Sequence, residues 1–403
     1  MELVGLDFLK RKLTEKQKKV KKRYVFYDAQ ETVRDLGIST PPELRFFSST
    51  LGWCARGVDA LADRLSFREF KNDSFEFNDI FKANNPDILI DSAILESLIA
   101  SCSFVFIQPT DNLPKLNVIT AYSATGIIDP VTCLLNEAYA VLEWDKSKTK
   151  KIREAYMIPG QITYFENGEI TEVINTPYKY IPLVPIVFRP SAARPFGHAR
   201  ISRACMDYTC AAIRTIKRSE IGAEFFAYPQ KYVTGLSQDA EKMETWKASM
   251  STLLAFTKDD DGDHPVLGQF AAQSMTPHLE QLKMFASLFA GEVGLTLDDI
   301  GFNTENPQSA EAIKASHDML RLTADKAKAR YGVNLLNVGL VAASVLNGTD
   351  IDRATIIDII PSWKPSFAPD IQSLGALGDA VLKLQQAFPN YIDEEKLKEL
   401  TGI

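Results

Sequence analysis

The sequence is poor in the residues from which metal sites and covalent cross-links are built. Its 403 residues include only five cysteines and four histidines, with no CxxC pair and no HExxH pattern. An odd set of cysteines suits buried, reduced thiols better than a disulfide framework or a zinc site. We therefore expect no bound metal and no cofactor.

Signatures of catalysis and of membranes are also missing. The sequence has no GxxxxGK[ST], GxGxxG or GxSxG motif, so it offers no phosphate-binding loop or nucleophile elbow of a known kind. It has no run of about 18 apolar residues, and acids interrupt the N-terminal segment where a signal peptide has an apolar core. These absences predict a protein that is not an enzyme, is made in a cytoplasm and has no membrane partner.

The acidic segment Lys258–His264 invites a metal-site interpretation, but its spacing does not fit one. If Gly262 is aligned with the glycine of an EF-hand loop, Thr257 occupies the first ligand position and Gly268 replaces the bidentate glutamate. A solvated turn is the better interpretation of this segment.

Charge is distributed unevenly along the chain. The net charge of -7 argues against a protein that binds nucleic acid over its whole surface. The segment Lys10–Arg23 is the exception, because it holds nine basic residues and one acid, Glu15. Two interpretations remain open for it: a solvated helix or mobile tail, and a contact with nucleic acid or a partner.

Hydrophobic periodicity predicts an α+β protein. Apolar residues recur at spacings of three and four from Leu44 to Leu65, which predicts an amphipathic helix, and a second helix fits 88–101. The region 104–188 has short β-rich runs, and Asn167-Gly168 suits a type I′ hairpin turn. The strands are predicted at 104–108, 117–121, 138–144, 154–158, 161–165, 170–174 and 182–190.

Long helices dominate the second half of the chain. Helices are predicted at 199–226 and 277–293, and a small insert with strands at 231–236 and 253–257 around a helix at 237–250 lies between them. The first helix has an apolar stripe of mostly small residues, which suits packing against other helices: Ile201, Ala204, Cys205, Tyr208, Ala212, Thr215, Ile216 and Ala223. An apolar strand at 356–360 and helices at 371–388 and 393–400 complete the prediction.

The segment Gly294–Tyr331 has the most distinctive pattern. A helix ends at Gly294, a loop follows, and a new helix begins near Asn306 with Pro307 in its first turn. One face of the new helix has charges of alternating sign: Lys314, Asp318, Arg321, Asp325 and Lys328. An apolar stripe lies beside them: Ile313, Leu320, Ala324, Ala327 and Tyr331.

This order of elements resembles that of tailed-bacteriophage portal proteins, and the segments Gly52–Leu65 and Asn306–Ile313 support the resemblance. The resemblance implies an α/β wing, long stem helices, a small α/β clip insert and a helical C-terminal crown. It divides the chain into an N-terminal arm and wing (1–195), stem helix (196–227), clip (228–272), stem helix (273–293), tunnel loop and long helix (294–331), wing return (332–362) and short crown (363–403).

The resemblance also implies a function. Portal proteins form a ring, usually of about twelve subunits, at one vertex of the virion, and double-stranded DNA passes through it during packaging and ejection. The partners implied are the terminase large subunit, a head-tail adaptor, and capsid and scaffolding proteins, with assembly in the host bacterial cytoplasm.

The implied site is a tunnel loop that lines the DNA channel. Its residues are Thr296, Leu297, Asp298, Asp299, Ile300, Gly301, Phe302, Asn303, Thr304, Glu305 and Asn306. We expect Leu297, Ile300 and Phe302 to form an apolar tip, while the acids repel DNA phosphates. Two alternatives remain open: an oligomeric scaffolding protein without a channel, and a cytosolic enzyme with an unrecognised site.

Overall fold

The computed structural model describes residues 3–33, 48–110, 112–227, 231–234, 266–269, 274–302, 315–367, 371–388 and 397. The chain divides into two compact units. Met1–Ala29, Gly52–Met206 and Ala290–Ile403 form the first, and Gln30–Leu51 with Asp207–Phe289 forms the second.

The described residues form a mixed α/β fold. Its helices are α1 (Leu6–Tyr27), α2 (Trp53–Ala62), α3 (Phe77–Ala83), α4 (Pro86–Ala100), α5 (Arg203–Ala227), α6 (Thr276–Val293), α7 (Asp318–Asn347) and α8 (Ile371–Ala387). Its strands are β1 (Phe67–Lys71), β2 (Cys102–Gln108), β3 (Lys115–Thr120), β4 (Ala124–Ile128), β5 (Leu135–Trp144), β6 (Lys151–Ile158), β7 (Gln161–Glu166), β8 (Glu169–Asn175), β9 (Leu183–Val187), β10 (Lys231–Thr234), β11 (Val266–Gln269) and β12 (Ile360–Trp363).

The strands of the first unit form three antiparallel sheets. A five-stranded meander has the order β4-β5-β6-β7-β8, a three-stranded sheet has the order β3-β2-β9, and β1 pairs with β12. The main core cluster includes Phe104 and Leu183 of the three-stranded sheet and Ala140 and Met157 of the meander. The two larger sheets therefore share one hydrophobic core.

The hairpin between β7 and β8 confirms the predicted turn. Asn167 and Gly168 have φ values of 51° and 92°, and Glu166 pairs with Glu169, as a two-residue type I′ turn requires. All residues of β8 are exposed, and β8 is an edge strand of the meander.

Helix α1 confirms that the basic segment is helical and shows that it is not a mobile tail. Leu9 and Leu13 pack against Tyr139 and Val141 of β5, and Val20 joins the main core cluster. These apolar residues recur at helical spacing, so one face of α1 is buried while its lysines occupy the others. The helix is therefore packed against the rest of the first unit along much of its length.

The start of α1 is held by one buried carboxylate. Glu137 of β5 is 2% exposed and accepts hydrogen bonds from the backbone amides of Val4 and Gly5, each 2.8 Å long. The Tyr156 hydroxyl donates a third hydrogen bond, 2.7 Å long, to the same carboxylate. A negative charge at this position satisfies free amide groups and complements the positive end of the helix dipole.

Helix α7 is the main core helix of the first unit. It packs against β2, β9 and β12, and the Tyr331 hydroxyl lies 2.6 Å from the Ser97 hydroxyl in the interior. One 18-residue window of α7 has a mean hydropathy of 1.3, enough by length and composition for a membrane span, but 72% of that window is buried inside the protein. Its burial in the core explains its apolar composition.

Several predicted elements have different bounds in the structure. The early helix begins at Trp53, and residues 48–52 are not helical. The strand predicted at 356–360 is replaced by a 3₁₀ turn, Arg353–Ile356, followed by β12. Strands β1, β4 and β11 and the short helix α3 were not predicted. Residues 44–47 of the early helix, the insert segments at 237–250 and 253–257, and the helix predicted at 393–400, apart from residue 397, lie outside the described residues.

Candidate functional site

The predicted tunnel loop begins at a well-defined helix end. Helix α6 ends at Val293, and Gly294 follows it with a left-handed φ of 68°. The amide of Leu295 donates to the carbonyl of Ala290 (2.9 Å), which is the six-residue hydrogen bond of a Schellman motif. Because Gly294 has no Cβ, the chain can turn sharply at this position without steric strain.

The next residues form a small hydrogen-bonded turn. The Thr296 amide and hydroxyl both donate to Oδ2 of Asp299 (2.9 Å each), and the Asp299 amide donates back to the Thr296 hydroxyl (3.2 Å). This reciprocal arrangement has the hydrogen bonds of a capping box, and it overlaps a 3₁₀ turn over Asp298–Ile300 that ends at Gly301. The first part of the loop is therefore locally folded.

The turn is also connected to other parts of the first unit. The Arg56 Nε of α2 donates to the Asp299 carbonyl (3.1 Å), and Nδ1 of His317 lies 3.6 Å from the Asp299 carboxylate. Leu297, Ile300 and Phe302 are half-buried, and Asp298 and Gly301 are exposed. Asn303, Thr304, Glu305 and Asn306 lie outside the described residues.

The helix after the loop confirms part of the predicted charge pattern. Arg321 pairs with Asp318 (2.7 Å) and with Asp325 (3.6 Å), one turn to either side. Lys328 departs from the pattern, because its ammonium donates to the Lys364 carbonyl and the Ser366 hydroxyl. The predicted apolar stripe is buried at Leu320, Ala324, Ala327 and Tyr331, whereas Lys314 and Ile313 lie outside the described residues.

The two predicted stem helices differ in burial. On α5 the buried residues include Cys205, Ala212 and Thr215, but Ala223 of the predicted stripe is exposed. The Thr215 hydroxyl donates to Oε1 of Gln281 on α6 (3.1 Å). On α6, three apolar side chains are well exposed: Leu279 (60%), Met284 (49%) and Leu288 (45%).

One arginine near the loop has a structural role that the sequence did not reveal. Arg200 donates through Nε to the Gly57 carbonyl (2.9 Å) and through Nη2 to the Val293 carbonyl (2.5 Å) at the end of α6. Burial lowers the pKa of Arg200 to about 10. A cation that satisfies the last carbonyl of a helix also complements the negative end of its dipole.

Within the described ranges, no group of three or more His, Cys, Asp or Glu side chains is arranged to hold a metal ion. The segment Lys258–His264 lies outside those ranges. The three described histidines, His198, His278 and His317, belong to separate elements.

We expect Thr296→Val to loosen the loop turn while leaving the fold intact. The substitution keeps the side-chain shape but removes the hydroxyl that links Thr296 and Asp299. A lost N-terminal cap of this kind costs about 1 kcal/mol, so amide hydrogen exchange at 296–302 should accelerate roughly fivefold to tenfold. Thr296→Ser keeps the hydroxyl and is the matched control. Equal exchange in both variants would show that the capping box does not order the loop.

Comparison with curated proteins identifies relatives that cover nearly all of the chain. The chain is 24% identical to the portal protein of Mycobacterium phage L5, and the match covers 93% of this chain and 80% of the relative. It is 23% identical to the portal protein of Mycobacterium phage D29, and that match covers 94% of this chain and 81% of the relative. The chain resembles phage portal proteins. Portal proteins are structural proteins rather than enzymes, which agrees with the missing catalytic motifs.

Other comparisons are more distant, and no protein-family model matches the chain. A chain in the virion of a native gene transfer agent particle is 14% identical, with a TM-score of 0.47 and coverage of 95% of this chain and 99% of that one. A chain in the neck of a native gene transfer agent particle is also 14% identical, with a TM-score of 0.46 and coverage of 87% and 89%. The portal resemblance therefore rests on sequence, because TM-scores below 0.5 are too low to define a shared fold.

Proposed function

We propose that this protein is the portal subunit of a tailed phage or a related particle. The observation that supports the proposal most directly is the similarity to two curated portal proteins over 93% and 94% of the chain. A similarity of that extent is spread over nearly the whole chain rather than confined to one widespread motif.

The proposed ring forms by contacts between copies along the stem helices. Met284 and Leu288 are four residues apart on one face of α6 and are 49% and 45% exposed, so the single chain leaves this apolar surface in water. Burying apolar surface between copies contributes about 25 cal/mol per Å². A head-to-tail contact repeated around an axis forms a ring when its rotation closes, and a closed ring is the symmetry that a channel needs.

The DNA contact in the proposal falls on the loop between α6 and α7. The capping box holds the start of this loop in one conformation, and Asp298 is exposed beside it. Acidic groups repel DNA phosphates, so such a loop would contact passing DNA without binding it tightly. The insert at 228–272 would face the terminase and the adaptor, and capsid and scaffolding proteins would surround the ring in the virion.

The test is the mass of the purified full chain, with negative-stain images of the same sample. We expect rings of about twelve copies with a central hole wider than duplex DNA.

The double substitution Met284→Glu/Leu288→Glu should leave the protein monomeric, because it places charges on the proposed contact. The control is Ile88→Glu on α4, where the side chain is 74% exposed and outside the proposed contact.

Other outcomes would separate the alternatives. A closed oligomer with a filled centre, or an open filament, would favour a scaffolding protein without a channel. A chain that stays monomeric at high concentration would reject the ring, and a deep polar cleft in such a monomer would favour an enzyme.

A further inference from the structure

Helix α1 has a row of cations along one side. Lys12, Lys16, Lys19 and Arg23 are separated by four, three and four residues, so they lie one above the other on a helix surface. At ~1.5 Å per residue the row is about 16 Å long. Like charges at these spacings repel each other, which makes the row unfavourable for the helix alone.

The row lines a cavity of about 470 Å³ in the first unit. Residues 194–197 also line it and include the exposed Arg194, which adds a fifth cation. Val20, Ile127 and Phe196 are among the lining residues and make part of the cavity surface apolar. No acidic side chain is present among the described residues that line it.

These five cations also lack ion pairs elsewhere in the described part of the chain. Lys10 and Lys151, by contrast, both pair with Glu154. The ammonium of Lys12 donates to the Gly126 carbonyl (3.0 Å), and Nη1 of Arg23 donates to the Ala100 carbonyl (2.8 Å). Neutral carbonyls orient the two side chains but do not balance their charge.

Lys16 is the most exceptional of the five. Its Nζ atom is shielded from solvent and has no hydrogen-bond partner among the described residues. It lies 4.0 Å from the ring centroid of Phe196, a cation–π contact that supplies no acceptor atom. The pKa of Lys12 is lowered mainly by the burial of its own ammonium and further by the nearby charge of Lys16. The pKa of Arg23 is lowered by burial. A buried ammonium without an acceptor is a group that an anionic ligand would satisfy.

We propose that this cavity binds a phosphate-bearing ligand, either a free nucleotide or the backbone of a nucleic-acid strand. Phosphate carries more charge and more acceptor oxygens in a small volume than a carboxylate does, so one group can accept from several ammonium donors. A row of cations about 16 Å long can contact more than one successive phosphate of a nucleic-acid strand. The volume of the cavity is within the range of small-ligand sites, and its apolar lining residues suit a base or ribose.

The test measures binding of a labelled single-stranded DNA 12-mer to the full-length protein. Lys19→Glu/Arg194→Glu changes two exposed side chains at the edge of the cavity, so the fold should survive. Lys18→Glu/Lys21→Glu makes the same change of net charge on exposed residues of α1 that do not line the cavity. We expect the first variant to bind at least about tenfold more weakly than the second. For the first variant, the slope of the logarithm of the DNA binding constant against the logarithm of salt concentration should also be smaller in magnitude than for the second, by about one to two.

Two competitors identify the ligand. Displacement of the 12-mer by ADP at similar concentration would assign the site to nucleotides, and failure of ADP to displace it would assign the site to a strand. Displacement by polyglutamate as effective as by DNA would overturn the preference for phosphate. Equal affinities of the two charge variants, or no binding at low salt, would overturn the site. Lys16→Met keeps the apolar stem beside Phe196, and unchanged affinity in that variant would also contradict the proposal.

Discussion

Replacing Glu137 with Gln should weaken the docking of α1 by about 2–4 kcal/mol. The carboxylate accepts three hydrogen bonds, from the amides of Val4 and Gly5 and from the hydroxyl of Tyr156. Glutamine offers one acceptor oxygen, and its NH₂ group would face an amide donor that then has no partner. The change also removes the negative charge at the start of the helix. Hydrogen exchange and limited proteolysis of residues 4–27 would measure the loss.

Glu143→Gln is the matched control, because Glu143 is an exposed residue of the same strand. It should behave as the wild type in both assays. If α1 is equally protected from hydrogen exchange and proteolysis in the two variants, the buried carboxylate does not hold the helix. Because α1 contributes four of the five cavity cations, Glu137→Gln should also weaken binding of the DNA 12-mer.

Replacing Gly197 with Ala should lower the free energy of unfolding by about 2–5 kcal/mol. Gly197 has a φ of 72°, and a Cβ at this position would lie 2.0 Å from the Phe188 carbonyl oxygen. The next residue fixes that approach, because the His198 amide donates to the same oxygen (2.9 Å). The added methyl group would therefore force the backbone after β9 to move. Chemical denaturation followed by circular dichroism would measure the effect.

Gly301→Ala separates the two causes of this effect. Gly301 has a φ of 92°, but a Cβ there would meet nothing within 4 Å, so only the backbone preference of about 1–2 kcal/mol opposes the change. We expect a much larger loss of stability for Gly197→Ala than for Gly301→Ala. Similar losses would mean that the close approach of Gly197 to Phe188 is absent in solution.

Local signals allowed many elements of this fold to be predicted from sequence. The Asn167-Gly168 turn and the helices now bounded as Pro86–Ala100 and Arg203–Ala227 all have strong short-range patterns. The strand Ala124–Ile128 was missed because it is short and contains a glycine. The docking of α1 could not be predicted, because its anchor Glu137 is more than 130 residues away in sequence.

The loop turn and the cation-lined cavity also differ in how far they could be predicted from local sequence. The Thr296–Asp299 capping box is a local pattern, and the sequence T-x-x-D could have revealed it before the structure did. The nine basic residues of 10–23 were evident, but composition could not separate the cavity row from the exposed lysines. That separation depends on residues 194–197, which meet α1 only in the folded chain.

The position of α7 in the core has a consequence for synthesis on the ribosome. Helix α7 packs against β2 and β9, yet roughly 130 residues separate Val187 from Asp318. At ~5–20 residues per second, translation of that interval takes on the order of 7–26 s. During this time an apolar sheet surface of the nascent chain is without its covering helix and is prone to aggregate. A ribosome that stalls before Asn347 therefore releases a chain that cannot complete its core.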